Sequence, residues 1–192
     1  MSNLYQSKTK EMHMEKVVEV IIGKCMGCHS CELACAVAHS ISKELVPAFN
    51  EEKTPYSRLI LEMDEGDVIP FHCRHCEDAP CITVCPTNAM SRTDAESPVT
   101  LKDEECIGCT ACLLVCPFGV IQKKTEGDKL AKCDLCIERL EEGKEPACTE
   151  SCPTGAIRYV SSDRHSTDKR KETIRKYRVA LSQTQEEAEA SK

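Results

Sequence analysis

Cysteine is the residue type here whose number and spacing could do chemistry, and all sixteen cysteines fall into four groups of four. Each group opens with a Cys-x-x-Cys pair, and the last three groups end in Cys-Pro. Thiolates at such spacing are typical metal ligands, so the sequence predicts metal centres. The groups are Cys25, Cys28, Cys31, Cys35; Cys73, Cys76, Cys81, Cys85; Cys106, Cys109, Cys112, Cys116; and Cys133, Cys136, Cys148, Cys152.

The spacing matches the bacterial iron–sulfur pattern C-x2-C-x2-C-x3-C-P. Two-residue gaps let three thiolates converge from one loop on one cubane. The fourth cysteine, expected at the start of a short helix, reaches a second cluster, so the groups work in pairs. The proline suits a turn of the chain away from the sulfur. Gly27 and Gly108 can take unusual dihedrals in their turns and direct backbone N–H groups toward sulfur.

Structural zinc and disulfides are the other uses of clustered cysteines. Zinc sites usually take two Cys-x-x-Cys pairs separated by a spacer, which differs from three thiols at i, i+3 and i+6. Disulfides need an oxidising compartment and a geometry that Cys-x-x-Cys rarely gives. The sequence favours iron–sulfur over zinc and zinc over disulfides, and an assay of acid-labile sulfide separates the first two.

Composition points away from an ordinary aromatic core and from nucleic acid. The 192 residues include no Trp, three Phe and four Tyr, and the formal net charge is -7. Phosphate binding needs a concentrated basic surface, so nucleic acid is not the expected partner. The N-terminal stretch carries no export signal or twin-arginine pair, and no apolar run reaches membrane-spanning length, so we expect a cytoplasmic protein that does not insert directly in a membrane.

Short apolar, β-branched stretches flank the cysteine groups. "KVVEVII" and "SPVTL" precede the first and third groups, and "PTNAM", "PFGVI" and "PTGAI" follow the second, third and fourth. These predict a repeated unit of strand, cluster loop, short helix and strand. The interval "SRLILEMDEGDVIPF" predicts a β-hairpin around Asp64, Glu65 and Gly66, better explained as a packing lid than as a catalytic element.

The C-terminal stretch has no cysteine, glycine or proline, and it is helix-compatible from Asp168 onward. Ile174, Tyr177 and Leu181 give only a thin apolar stripe. A solvated or frayed tail is the plainer interpretation. The sharper one is a helix that docks on a partner subunit or on another copy of the chain.

At the level of these motifs, the chain resembles the four-cluster ferredoxin-like electron-transfer subunits of anaerobic oxidoreductases. The resemblance covers about residues 16 to 160 and all four cysteine groups. "CMGCHSCELACAVAHS", "HCRHCEDAPCITVCPTNAM" and "KCDLCIERLEEGKEPACTESCPTGAI" are most similar to the iron–sulfur subunit of carbon monoxide dehydrogenase. They also resemble the small subunits of formate dehydrogenase and hydrogenase complexes, including CO2-reducing ones.

The resemblance implies four [4Fe-4S] clusters in a nested arrangement, whereas spacing alone equally permits sequential pairing. Every ligand position is Cys. The second group has four residues where the common pattern has two, and Ala36 replaces the proline after Cys35. The implied ligand sets are set A, Cys25, Cys28, Cys31 and Cys152; set B, Cys133, Cys136, Cys148 and Cys35; set C, Cys73, Cys76, Cys81 and Cys116; and set D, Cys106, Cys109, Cys112 and Cys85.

The implied fold is α+β, with two bacterial dicluster ferredoxin-like modules, a hairpin insertion and a C-terminal helical extension. The expected outer module is 16–36 with 130–160, and the inner module is 73–125. Residues 37–72 form a linker with the hairpin, and 161–192 form a helical or disordered tail.

A cubane with four cysteine ligands has no open site for substrate, and no nucleotide motif accompanies the cysteines, so we expect no catalytic residues. The predicted function is an electron-transfer subunit between a catalytic metalloenzyme, carbon monoxide dehydrogenase first, and a hydrogenase or flavin reductase. The alternative within this class is the same role in a formate dehydrogenase and hydrogenase assembly. A zinc-binding scaffold is the alternative from another class, and a catalytic iron–sulfur enzyme would need a missing cysteine ligand.

Four histidines and two lysines lie next to the cysteine groups. With complete cysteine sets they are surplus as ligands, so we interpret them as residues that hydrogen-bond near the clusters or lie at the surface. A lysine directly before Cys-x-x-Cys would raise a cluster's potential, although most such lysines are solvated. These residues are His29, His39, His72, His75, Lys24 and Lys132.

Overall fold

The chain is built from short helices and strands, in a computed structural model that describes residues 16–95, 97–124 and 129–190. The strands in these ranges are β1 (Lys16–Val20), β2 (Ile60–Asp64), β3 (Asp67–Phe71), β4 (Met90–Ser91), β5 (Thr100–Leu101), β6 (Gln122–Lys123), β7 (Leu130–Ala131) and β8 (Ile157–Ser161). The helices are α1 (Ser30–Ala38), α2 (Leu45–Phe49), α3 (Pro80–Thr83), α4 (Ala111–Val115), α5 (Ile137–Glu141), α6 (Ala147–Glu150) and α7 (Ser162–Ala190), with a 3-10 turn at Ile22–Lys24. The fold is thus a small mixture of helices and strands.

The strands pair in antiparallel two-stranded ladders that connect the cysteine groups. β1 pairs with β8, with Val20 opposite Ile157, so the chain before the first group lies beside the chain after the fourth. β4, after the second group, pairs with β5, before the third. β6 and β7 join the third group to the fourth in the same way. The strand pairing therefore brings the outermost cysteine groups together.

Two separate hydrophobic cores lie beneath these ladders, and cysteines belong to both. With so few aromatic residues, thiol side chains take part of the place that rings fill in other small domains. The first core consists of Val18, Cys31, Cys35, Leu59, Leu140, Cys148, Ile157 and Tyr159. The second consists of Ala79, Met90, Val99, Cys112, Ile121 and Leu130.

The predicted hairpin is present as β2 and β3. Its turn residues Glu65 and Gly66 have φ of 47° and 93°, the left-handed backbone that two-residue hairpin turns require. Leu59, just before β2, is 3% exposed in the first core, and Leu61 packs against that core. The hairpin therefore covers the first core, in line with the interpretation as a packing lid.

The C-terminal stretch is a helix that begins at Ser162, earlier than the sequence predicts. Its base is held by Glu19 on β1, whose carboxylate accepts from Arg158 Nη2 at 2.5 Å and contacts His165 Nδ1 at 3.0 Å. Farther along, Ile174 is 50% exposed and Tyr177 is 67% exposed. Docking of α7 on a partner or another copy stays a prediction. Leu181 belongs to the part of α7 that is described by its backbone only.

Within the described parts of the chain, none of the helices combines the length and the apolar character that crossing a membrane requires.

Candidate metal centres

The fourth cysteine of each group lies about one helical turn after the third, not at the start of a helix, so that expectation is wrong. Third and fourth cysteines are four residues apart, close to the 3.6 residues of an α-helical turn. Ala36 continues α1 past Cys35, whereas the groups that end in Cys-Pro have shorter helices. The third cysteines lie on helices α1, α3, α4 and α6, namely Cys31, Cys81, Cys112 and Cys148.

Each Cys-x-x-Cys turn has a left-handed residue before its second cysteine. Gly27 and Gly108 have φ of 68° and 69°, which confirms the prediction of unusual dihedrals. His75 and Leu135 occupy the equivalent positions with φ of 48° and 63°, although neither is glycine. The His75 N–H donates to Cys73 Sγ at 3.3 Å and the Leu135 N–H to Cys133 Sγ at 3.5 Å. The turn thus points a main-chain donor at the first sulfur.

Gly27→Ala is expected to destabilise the protein more than Gly143→Ala. Both positions have similar positive φ, 68° and 76°, and the left-handed backbone costs a non-glycine residue about 1–2 kcal/mol. A Cβ at Gly27 would also lie 3.3 Å from Val68 Cγ2, whereas nothing lies within 4 Å at Gly143. Anaerobic denaturant unfolding of the iron-loaded proteins measures the difference. Equal losses for the two variants would show that Val68 moves aside freely.

The four cysteines of set A line one cavity. Cys25, Cys28 and Cys31 come from the first group and Cys152 from the fourth. The rest of the wall is mostly apolar, with Met26, Leu61, Pro70, Ala156 and Ile157. Residues more than a hundred positions apart in the chain therefore present sulfur atoms to the same small space.

The four cysteines of set C line a second cavity in the same way. Cys73, Cys76 and Cys81 come from the second group and Cys116 from the third. Pro80 is the first residue of α3, a position whose N–H has no partner within the helix, so the lack of an N–H in proline costs nothing there. Cys81 follows it and lies on the cavity wall. The two additional residues of the second group thus form the approach to α3. Val99, Val120, Ile121 and Lys132 are among the other lining residues.

The cysteines of set B lie near one another, and so do the cysteines of set D. Cys148 is buried, and charges on Cys133, Cys35 and Cys136 all act on it. In the second core, Cys112 is buried with Cys85 and Cys106 packed against it, and it interacts with Cys109. All sixteen cysteines are free thiols, without disulfides. Each group thus lies with its partner from the nested arrangement.

Burial and hydrogen bonds shift the pKa values of the thiols in opposite directions. Burial raises the pKa of Cys31 and of Cys133 to about 12, and that of Cys148 well above its ordinary value. Burial also raises the pKa of Cys152, but N–H groups of Ile157, Ala156 and Thr154 outweigh it and leave the pKa lowered. Because metal ligation requires thiolates, a metal bound by these buried cysteines would have to displace their protons.

Asp134 and Arg58 form a polar network beside set B that sequence reasoning missed. Asp134 accepts from Arg58 Nη1 at 2.5 Å and from the Cys136 N–H at 2.9 Å, and it contacts His39 Nε2 at 3.0 Å. The Arg58 N–H donates to Cys35 Sγ at 3.2 Å. Burial opposes the charge on His39, but the hydrogen bond with Asp134 raises the pKa of His39 to about 12. The only local signal for this network in the sequence is the aspartate within the Cys-Asp-x-Cys turn.

The histidines and lysines next to the cysteines divide into exposed and buried residues. His29 and Lys24 lie at the surface. His72 is 6% exposed, and burial lowers the pKa of His72 to about 4 and of His75 to about 3. Lys132 is 3% exposed, so the expectation of a solvated lysine is wrong at this position. His29 and Lys24 are thus surface residues, whereas His72 and Lys132 make hydrogen bonds with main-chain carbonyls next to the cysteines.

Comparison with known proteins gives the family. The 4Fe-4S dicluster domain matches residues 65–162. An iron–sulfur protein of Rhodospirillum rubrum is 42% identical over 151 residues, covering 72% of this chain and 78% of that protein. The iron–sulfur subunit of the nitrate-inducible formate dehydrogenase of Escherichia coli (strain K12) is 30% identical over 166 residues, covering 80% of this chain.

The chain spans 56% of that formate dehydrogenase subunit, little more than half its length. Among solved structures, a chain of the BamBC active-site complex of benzoyl coenzyme A reductase, in complex with zinc, matches with a TM-score of 0.41 and 20% identity. That match covers 83% of this chain and 88% of the other. Its TM-score and identity are too low to support a conclusion about function. The cysteine geometry and the sequence matches together establish that the chain belongs to the 4Fe-4S dicluster family, as a ferredoxin-like electron-transfer protein.

Proposed function

We propose that the chain relays single electrons through four [4Fe-4S] clusters held by sets A, B, C and D, as a subunit that is not itself catalytic. The observation that carries the proposal is the pair of cavities lined by the cysteines of sets A and C. Four sulfur donors in an otherwise largely apolar wall fit a cubane with complete thiolate ligation. Sixteen cysteines supply four such sets with none left over.

The two cores support a division into two dicluster modules. The outer module takes 16–36 and 130–160 around the first core, and the inner module takes 73–125 around the second. Leu130 packs in the second core and β7 pairs with β6, so we move the boundary of the outer module from residue 130 to just after Ala131. Residues 37–72 cover the outer module, and 161–192 form the extension that contains α7.

A cluster with four cysteine ligands accepts and returns one electron. The protein's own residues would determine the position of each cluster and adjust its reduction potential. The N–H groups of Arg58 and Met90 donate to Cys35 Sγ at 3.2 Å and Cys85 Sγ at 3.4 Å, which stabilises negative charge on those sulfurs. The apolar lining limits the access of water to the buried sulfur ligands. No set leaves a position for substrate, which supports a relay rather than a catalyst.

Exposure of the cysteines supports an order for the relay. Cys28 of set A and Cys109 of set D are exposed, whereas Cys35, Cys136 and Cys148 of set B are buried. Sets A and D therefore lie at the two ends, and sets B and C lie between them.

Apolar side chains near both ends are exposed, where partner subunits would dock. Met26 beside set A is 65% exposed, and Ile107 and Leu114 beside set D are 64% and 85% exposed. Exposed apolar residues next to a redox centre are typical of contact surfaces between proteins.

The catalytic partner is an oxidoreductase subunit. Formate dehydrogenase is favoured by the named relatives, which include the iron–sulfur subunits of formate dehydrogenase-O and of the Haemophilus influenzae enzyme. Carbon monoxide dehydrogenase, with a hydrogenase or flavin oxidoreductase as the other partner, is favoured by the motif resemblance alone. We retain both as candidate donors.

Anaerobic purification tests the proposal. The protein is expected to be brown, with about four irons and four sulfides for each cysteine set, and to copurify with a catalytic subunit. Mass spectrometry of the copurified proteins distinguishes formate dehydrogenase from carbon monoxide dehydrogenase. Assays of iron, acid-labile sulfide and zinc on the same sample provide the control. A folded, colourless preparation that contains zinc would contradict the relay and favour the zinc scaffold.

A further inference from the structure

Lys132 is a buried cation at the junction of sets B and C. Its side chain is 3% exposed, and its Nζ donates to the carbonyl oxygens of Val99 and, at 2.5 Å, Cys133. Within the ranges that the structure describes, it makes no ion pair with a carboxylate. The nearby Asp134 is engaged by Arg58 and His39. An ammonium group buried among neutral carbonyls is costly unless negative charge lies close by.

Lys132 lies next to cysteines of two sets. It lines the cavity of set C together with Cys81 and Cys116, and its own peptide leads directly into Cys133 of set B. One positive charge therefore lies beside cysteines of both sets.

A line of hydrogen bonds also joins the two sets through Lys132. The Val99 N–H donates to His75 Nδ1 at 3.0 Å, and His75 lies between Cys73 and Cys76 of set C. The Val99 carbonyl in turn accepts from Lys132, which also binds the Cys133 carbonyl. The cation is thus fixed in place by the carbonyl of Cys133, in the set B loop, and by that of Val99, whose N–H is bonded to His75 in the set C loop.

We propose that Lys132 is the shared counter-ion of the two clusters at the junction, and that its charge holds their reduction potentials above those they would have without it. This inference rests on the proposed function, because it needs clusters in sets B and C. A tetrathiolate cubane is anionic and gains a further negative charge on reduction. A cation in a water-excluded site therefore stabilises the reduced form.

Lys24 provides a matched control within the same chain. It too directly precedes a Cys-x-x-Cys pair, that of set A, but it is exposed. Water and salt screen an exposed charge, so Lys24 should contribute little to any potential. The two lysines share one sequence context and differ in burial, which is the property that the inference invokes.

The test is an anaerobic redox titration of the full-length protein monitored by EPR, with Lys132→Met, Lys132→Arg and Lys24→Met compared with the wild type. In Lys132→Met, two clusters should become harder to reduce, by at least about tenfold in the reduction equilibrium, which is about 59 mV for a one-electron couple. Lys132→Arg should keep potentials near the wild-type values, and Lys24→Met should change them much less.

Unchanged potentials in an iron-replete Lys132→Met protein would overturn the inference and leave the proposed function intact. Should Lys132→Met lose clusters, Lys132→Gln takes its place in the titration. Loss of clusters in both neutral variants but not in Lys132→Arg would support a requirement for the charge, whereas loss in all three would indicate a packing role and overturn the inference. A wild-type protein without iron and sulfide would instead refute the proposed function.

Discussion

Removal of iron and sulfide is expected to unfold residues 16–161 almost completely. The strands there have two to five residues, and the helices have four to nine. Isolated elements of these lengths are not stable in water. Cysteines also belong to both hydrophobic cores. In the iron-free chain those cores would have to hold together without metal–thiolate bonds, which supply much of the folding free energy of small metal-binding domains.

Circular dichroism and limited proteolysis under anaerobic conditions measure this unfolding. The long helix α7 can retain helical signal by itself, so a chain that ends at residue 161 should be measured beside the full-length chain. Reconstitution with iron and sulfide should restore both the spectrum and the resistance to protease. An iron-free chain that keeps the protease resistance of the loaded protein would show that apolar packing alone is sufficient.

Cys148→Ala is expected to damage the protein much more than Cys109→Ala. Cys109 is exposed and belongs to set D at one end of the proposed relay, so its replacement should remove about a quarter of the iron and leave the rest folded. Cys148 is buried in the first core, on the helix α6 that also leads to Cys152 of set A. Its loss should release the clusters of sets A and B together, about half of the iron.

Iron and sulfide analysis, with EPR of the reduced proteins, distinguishes the two variants. Both should stop electron transfer from one end of the chain to the other, because either interrupts the relay. Cys109→Ala should still exchange electrons with a small reductant through the remaining sets. Wild-type iron content and transfer rates in Cys109→Ala would show that Cys109 is not a ligand. An iron loss of only a quarter in Cys148→Ala would show that sets A and B are held independently.

The cysteine spacing predicted the kind of cofactor, the glycine turns and the flanking strands, because these follow from local sequence. Gly27 and Gly108 have the left-handed backbone that the pattern predicts. The position of the fourth cysteines was predicted wrongly. The spacing of four residues to the third cysteine fits one helical turn, and the loop interpretation neglected this.

Other features depend on contacts between distant parts of the chain, which a sequence without its fold does not give. Lys24 and Lys132 have the same local context, yet only Lys132 is buried, because the second core and the Cys133 loop enclose it. Asp134 meets His39 and Arg58 from 95 and 76 residues away. Spacing equally permitted sequential and nested pairing of the cysteine groups. The β1–β8 ladder, which joins Lys16–Val20 to Ile157–Ser161, brings the first group to the fourth.

Because β1 and β8 lie at opposite ends of the cysteine-containing region, a ribosome delivers the ligands of the four sets at different times. Sets C and D are complete once Cys116 has emerged, whereas sets A and B wait for Cys152 and Cys148. With the proposed ligand sets, the inner module would be able to receive iron while the chain is still being made, whereas the first four thiols would wait for Cys148 and Cys152. Those early thiols are where a nascent chain is most open to oxygen, and where a chaperone for iron delivery would have most to protect.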